Sequence, residues 1–239
     1  MGYEIRRGAP PAAAPHILED RTRHTTMRTL FWNTITEDMR VILQGFSQSE
    51  IGKKFYLAGG TALSLQIGHR NSIDLDFFSQ TEDIPSIREN LTESLSDWKP
   101  ELTDSAWGNL VFLARNVRVG FYGYGYELTK SLRSEEGVQL ASIEDIGLMK
   151  MDALLSRANR KDFYDLYFIT QDIPFKTLFD LAQKKYPSVR DFEVQVVKRL
   201  VYFDSAEYDP NPRLLKPLDW DSVKSFFIEQ AKIIEQSWL

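Results

Sequence analysis

The stretch Phe55–Phe78, "FYLAGGTALSLQIGHRNSIDLDFF", decides how this chain is read. Its first four residues, Phe55–Ala58, form a short apolar run that stops at Gly59-Gly60, which is the pattern of a strand entering a tight turn. Thr61–His69 follows with Leu63 and Ile67 four apart and Ala62 and Leu65 three apart, the spacing of a helix face. Ser72–Phe78 then alternates, with Ile73, Leu75 and Phe77 on one face and Asp74 and Asp76 on the other. The expected order is strand, glycine turn, helix, strand.

Each part has an ordinary structural use and a chemical one. Two glycines after a strand allow a turn with positive φ, and they let backbone N–H groups approach a ligand closely. The helix that opens at Thr61 presents its positive dipole end, a natural seat for phosphate, with the Thr61 hydroxyl as a further donor. On an extended segment Asp74 and Asp76 project side by side, close enough to share a divalent cation. Without compensation, two such carboxylates on a half-buried strand repel and lose hydration. A turn that cradles phosphates and a carboxylate pair on the next strand together suit a magnesium-bound nucleoside triphosphate.

These residues carry a resemblance. "AGG", thirteen residues, then "DLD" resembles the hG[GS]…DhDh signature of polymerase-β-like nucleotidyltransferases. The threonine after the glycines and the ending "GHRNSIDLDFF" are similar to the AbiEii/AbiGii toxin family, the toxin side of type IV toxin–antitoxin and abortive-infection systems. A second segment, "LMKMDALLSRANRKDFYDLYFI", adds the R-K-D-x-x-D-L run of that family after a helix with an internal lysine.

The resemblance spans Met27 to about Thr170. It implies metal ligation by Asp74 and Asp76, and a nucleotide site at Gly59, Gly60 and Thr61 with Ser72 and Arg70 as adjoining contacts. Lys150, Lys161 and Asp165 would line the nucleotide or acceptor side. It further implies Mg²⁺ or Mn²⁺ as cofactor, an NTP as substrate, a tRNA 3′ end or a protein as acceptor, and a separately encoded antitoxin as partner. A non-catalytic NTP-binding module of the same fold is the alternative, and an interaction domain with an empty pocket is a third reading.

One departure motivates the alternatives. Many polymerase-β-like enzymes place a third carboxylate on a later strand. Here that strand, Asn116–Leu128, reads "NVRVGFYGYGYEL", with Gly120 where an acid is expected and Glu127 near its end. Asp104 is a second candidate by sequence proximity. The general base is then missing, supplied by Asp165, or replaced by the substrate. The run "FYGYGY" offers either base-stacking tyrosines or a packed, glycine-kinked strand.

The rest of the chain sets the frame. The 239 residues are 43% hydrophobic and 26% charged, as in an ordinary globular protein. No apolar run reaches the roughly 20 residues that span a bilayer. The absence of cysteine excludes disulfides, zinc-thiolate sites and thiol nucleophiles, and fits a cytoplasmic protein. With three histidines and many acids, any metal is expected to be oxygen-bound. A net charge of −5 argues against nucleic-acid binding by bulk electrostatics. The basic clusters at Arg157, Arg160 and Lys161, at Lys184 and Lys185, and at Lys198 and Arg199 are candidates for a local nucleic-acid face, but read better as solvated helix faces.

Residues 1–26 read as a tag-like leader or disordered tail, with Met27 as a natural start. Thr36 is expected to cap a helix that ends near Phe46, with a short helix at Ser49–Lys54. Ile84–Ser96 reads as a helix, and "NLVFLARNVRVGFYGYGYEL" as two strands turning at Arg115-Asn116. From Ser142 the periodicity is helical, with later helices at Phe175–Lys185, Val189–Phe203 and Trp220–Ser237. The expected fold is α+β: a polymerase-β-like nucleotidyltransferase core at 27–130, a small mixed sheet flanked by helices, then a helical domain at 131–239.

Overall fold

The structure, a computed structural model, describes residues 29–106 and 108–238. The expected leader at 1–26 lies outside the described residues. Helix α1 is Glu37–Gln48, capped as expected by Thr36, whose hydroxyl accepts from the Met39 N–H at 3.3 Å. Glu37 and Asp38 in its first turn complement the helix dipole, and Met39, Ile42, Leu43 and Phe46 form its buried stripe. Strand β1 (Tyr56–Leu57), helix α2 (Gly59–Ile67) and strand β2 (Asp74–Ser79) follow. The strand–helix–strand order holds, with α2 starting at the glycines rather than after them.

Next come α3 (Arg88–Ser94), β3 (Glu101–Asp104), β4 (Asn109–Ala114) and β5 (Val117–Gly123). The single helix expected over Ile84–Ser96 is split. Pro85 sits in a 3-10 turn at Ile84–Ile87 before α3, because proline can open a helix but not donate within it. The β4–β5 turn falls on Arg115 and Asn116, both at positive φ (48° and 61°), as a two-residue hairpin loop requires. Strands β6 (Arg133–Glu135) and β7 (Val138–Leu140) form a hairpin absent from the sequence reading.

Among the described residues these strands make one mixed sheet of seven, ordered β3-β4-β5-β2-β1-β7-β6. β2 runs parallel to β5 and antiparallel to β1, and β7 pairs parallel with β1 through Leu57 and Leu140. The sheet therefore continues past residue 130, where the sequence pattern placed the boundary. The short strands β6 and β7 have too few residues to show a period, and their place is set by pairing with β1.

Helices α4 (Ile143–Ser156), α5 (Arg160–Thr170), α6 (Phe175–Lys185), α7 (Phe192–Leu200), α8 (Asp204–Glu207) and α9 (Trp220–Gln236) complete the chain. The expected α+β class, a mixed sheet flanked by helices and then a helical run, is the observed one. No helix among the described residues is long and apolar enough to cross a membrane.

The core fixes which side of β2 faces outward. Leu75 and Phe77 are buried, and the Phe77 ring stacks on Phe121 at 5.5 Å and meets Phe46 at 4.6 Å. Burial of each such ring is worth about 1.5–3 kcal/mol. Because strand side chains alternate, this anchoring turns Asp74 and Asp76 to the opposite, open face. Ile73, expected on the apolar face, precedes the strand and is 74% exposed. Two of the clustered basic residues are also buried: Arg160, and Lys185 in an ion pair with Asp145 at 2.9 Å.

Candidate active site

A cavity of about 970 Å³ lies over the open face of β2, a volume suited to a nucleotide-sized ligand. One wall is the start of α2. Gly59 has φ of 64°, and a Cβ there would lie 3.3 Å from Oδ2 of Asp76. Gly60 has no such dihedral, but its Cβ would fall 2.0 Å from Nη2 of Arg70. The two glycines thus let the helix start lie against the aspartate strand and the arginine below it. Thr61 and Ser72 are buried, with their hydroxyls 2.7 Å apart, and the Thr61 hydroxyl donates to the Asp74 carbonyl. Both hydroxyls tie α2 to β2 and so aim the Asp74 backbone.

Asp74 and Asp76 both line the cavity. Burial, with the negative charge of Asp74 added, pushes the Asp76 carboxyl up against the opposing pull of Arg118. Two carboxylates on one face, one of them resisting ionisation, are the donor set expected where a hard cation is to be held, and they fit such an ion. Among the described residues no third acid or histidine joins them in a metal-binding group.

The strand beside them explains why. β5 pairs in register so that Arg118 lies opposite Asp74, Gly120 opposite Asp76 and Tyr122 opposite Phe78. Arg118 donates from Nη1 to Oδ1 of Asp76 at 3.3 Å and from Nη2 to the Tyr122 hydroxyl at 3.0 Å. Glu127 and Asp104, the other acids considered, are exposed and do not line the cavity. Tyr122 and Tyr124 do line it, while the Tyr124 hydroxyl also lies 2.9 Å from that of Tyr186 in a packed aromatic cluster. Packing therefore accounts for the aromatic run, with two rings turned to the cavity.

Beneath the cavity lies a buried charge network. Asp165 takes Arg70 on both oxygens at 2.6 and 2.9 Å, His69 at 2.7 Å and Lys150 at 2.6 Å. Asp162 takes the other side of Lys150 at 2.8 Å, and Arg157 at 3.1 Å. Burial opposes ionisation of Asp165, yet Arg70 and Lys150 hold it well below the usual carboxylate range. Burial also opposes a charged Lys150, and Asp162 and Asp165 overcome it and raise its pKa. His69 is pushed down by burial despite its bond to Asp165, and so stays neutral near pH 7.

Two sequence expectations need adjustment here. Asp165 is fully enclosed by cations and stays ionised, so it is not free to serve as the general base. Lys150 reaches the cavity wall but spends its ammonium on two carboxylates. Lys161, by contrast, is exposed on the cavity wall and has no ion-pair partner among the described residues. On α5, Asp162 and Asp165 point inward and Lys161 outward.

The far wall was not anticipated. Residues 209–213 cross from the helical half to the aspartate strand's approach, and Asn71 donates its N–H to the Arg213 carbonyl at 2.8 Å. Arg160 holds this strap: its guanidinium donates to the carbonyls of Ala206 and Glu207 at 2.8 and 2.6 Å and to Oδ1 of Asn211 at 2.8 Å. Its N–H donates to Asp209 at 2.8 Å. Arg118, Asp152, Asp209 and Arg213 are among the cavity residues that sequence reasoning missed, while Arg157 and Tyr122 were read only as a solvated face and part of an aromatic run. Arg118 and Tyr122 share the alternation of β5 with Gly120, but their role needs the β2–β5 register.

The family described as "Nucleotidyl transferase AbiEii toxin, Type IV TA system" matches residues 41–109 and 113–236, a span that holds the whole constellation. The chain belongs to the AbiEii nucleotidyl transferase toxin family. This AbiEii chain is 34% identical over 206 residues to an uncharacterized protein of Aquifex aeolicus (strain VF5), covering 83% of the chain and 96% of the relative. Its fold is similar to that of JHP933 from Helicobacter pylori, with a TM-score of 0.55 and 20% identity over 83% of the chain and 89% of the other. It is also similar to MenT4, a nucleotidyltransferase toxin from Mycobacterium tuberculosis H37Rv, at a TM-score of 0.52 and 16% identity, covering 81% of each. The AbiEii chain is accordingly a nucleotidyltransferase, with the glycine turn and aspartate pair on the motif its sequence displays.

Proposed function

We propose that the protein is a Mg²⁺- or Mn²⁺-dependent enzyme that transfers the NMP of an NTP to an acceptor hydroxyl, on a tRNA 3′ end or a protein. In this reading it acts as the toxin of a type IV or abortive-infection system, countered by a separately encoded antitoxin. The observation that carries it is the pairing of Asp74 and Asp76 with the glycine start of α2 across one nucleotide-sized cavity.

Asp74 and Asp76 would hold the cation, which when bound supplies Lewis-acid charge to the phosphate oxygens. The N-terminal turn of α2 offers its dipole to the triphosphate. Lys161 and Arg157, exposed on the cavity wall, place positive charge where the leaving pyrophosphate gathers negative charge. The acceptor oxygen bonds to the α-phosphorus, the α–β bridging bond breaks, pyrophosphate leaves, and the hydroxyl proton passes to solvent. The buried network under the cavity keeps α2, α4 and α5 in fixed relation, so these groups are held in place before substrate arrives.

Gly120 opposite Asp76, where a third carboxylate would be expected, favours one rival, an NTP-binding module without transfer. Incubation with each α-³²P-labelled NTP, Mg²⁺ or Mn²⁺ and total tRNA separates them, with Asp74→Ala/Asp76→Ala as control. Label on RNA or protein that disappears in the control supports the transferase. Metal-dependent NTP binding with no labelled product from any acceptor would favour the module.

A further inference from the structure

On the face of β5 that meets the aspartates, the side chains in sequence are Arg118, none at Gly120, and Tyr122. A third carboxylate completing a two-cation centre would have to stand at Gly120, opposite Asp76. That space is filled. A Cβ on Gly120 would lie 2.3 Å from the Tyr122 hydroxyl and 2.5 and 2.6 Å from its ring carbons. Tyr122 does not lie there idly, since its hydroxyl accepts from Nη2 of Arg118 at 3.0 Å. Nη1 of the same Arg118 meets Oδ1 of Asp76 at 3.3 Å, so one guanidinium bridges the tyrosine and the aspartate. Oδ1 of Asp76 is thus taken by a guanidinium, while Oδ2 faces the Gly59 turn.

Resting on the nucleotidyl-transfer reading above, the geometry points to a centre built for one divalent cation, in which Arg118, oriented by Tyr122, occupies the place of the second. A two-cation centre needs carboxylates on both sides of the reacting phosphate, with ions about 3.5–4 Å apart. Here two acids on β2 face a fixed positive charge on β5, and the other cavity acids, Asp152 on α4 and Asp209 on the strap, form no metal-binding group with them among the described residues. A guanidinium stays protonated at any working pH and can fork between a carboxylate and a phosphate oxygen. Arg118 lines the cavity with its side chain 45% exposed, so its guanidinium is open to a phosphate oxygen bound there. It thereby meets the charge that develops there and takes no proton from the acceptor.

The test counts ions. Mn²⁺ is titrated into the full chain with a non-hydrolysable α,β-methylene NTP, and the free-Mn²⁺ electron paramagnetic resonance signal reports how many ions are taken up. One ion per chain is expected, and two would overturn the one-cation centre while leaving the transferase reading intact. No Mn²⁺-dependent NTP uptake at all would overturn that reading, and this inference with it. In parallel, Arg118→Gln is expected to lower kcat for transfer about 100-fold, the scale of losing one preorganised charge donor. Its ion count should remain one and its Mn–NTP affinity should stay within about threefold. Arg118→Lys should recover part of the loss. An Arg118→Gln variant that transfers at the wild-type rate would overturn the assignment.

Discussion

Gly60 and Arg70 are in contact so close that a single methyl group would separate them: a Cβ on Gly60 would lie 2.0 Å from Nη2 of Arg70. An arginine tip normally moves aside at little cost. This one is pinned by two hydrogen bonds to Asp165, which is itself fully buried. Gly60→Ala is therefore expected to lower unfolding free energy by about 1–3 kcal/mol through strain on a buried ion pair. Urea denaturation measures it, and an unchanged midpoint would mean that the pair relocates freely.

Asp165 should govern acid stability. Its folded pKa lies well below the unfolded value, so the stability it contributes is complete above the unfolded pKa of about 3.9. That contribution disappears as pH falls from there through the folded pKa. Asp165→Asn leaves Arg70 and Lys150 short of a countercharge in the interior, and a loss of about 3–5 kcal/mol at pH 7 is expected. The variant should also show a shallower decline in stability below about pH 4 than the wild type. Equilibrium unfolding between pH 7 and pH 2 tests both.

His69 acts in a higher window. Burial lowers its folded pKa, so the unfolded chain takes up its proton first and stability falls as pH drops below about 6.5. His69→Gln keeps a donor for Asp165 and should remove that early decline. An undiminished slope between pH 6.5 and pH 5 in the variant would assign the decline to another group.

Asp76 is expected to trade stability for chemistry. Its carboxylate is raised by burial, so the charged form is disfavoured in the folded, metal-free protein. Asp76→Asn should stabilise that state by about 1 kcal/mol, or about 2–4 °C in Tm for a chain of this size. The same variant should lose metal-dependent NTP binding and transfer. Calorimetric scans and nucleotide titrations would show it, and retained metal-dependent binding would remove Asp76 from the site.

The two cavity lysines should separate cleanly. Lys161→Ala removes an exposed cation with no ion-pair partner among the described residues, so Tm should hold while NTP affinity falls about tenfold and becomes less salt-sensitive. Lys150→Ala strips the countercharge from Asp162 and Asp165 and should destabilise the fold by about 3–5 kcal/mol. If the two variants gave the same profile, the division between binding and framework roles would fail.

Much of this molecule follows from local rules that operate within a few residues. The alternation of β2 sets Asp74 and Asp76 on one face, the Thr36 hydroxyl starts α1, and Arg115-Asn116 turns the β4–β5 hairpin. The glycines mark the close approach of α2 to β2, and "AGG…DLD" together with Thr61, the "GHRNSIDLDFF" ending and the "RKDFYDL" run carried the resemblance to the family the chain belongs to. The charges were harder to read, because a sequence shows a charge but not its partner. Arg70 and Asp165 are 95 residues apart, Lys185 and Asp145 are 40, and Arg160 and Asn211 are 51. Whether Lys150 meets a phosphate or two carboxylates depends on how α4 packs on α5, and Arg118 meets Asp76 only through the register of β2 on β5. Local periodicity therefore determined which residues could carry the chemistry. Tertiary packing decided which of them are free to do so, since burial leaves an ionised group stable only beside its countercharge.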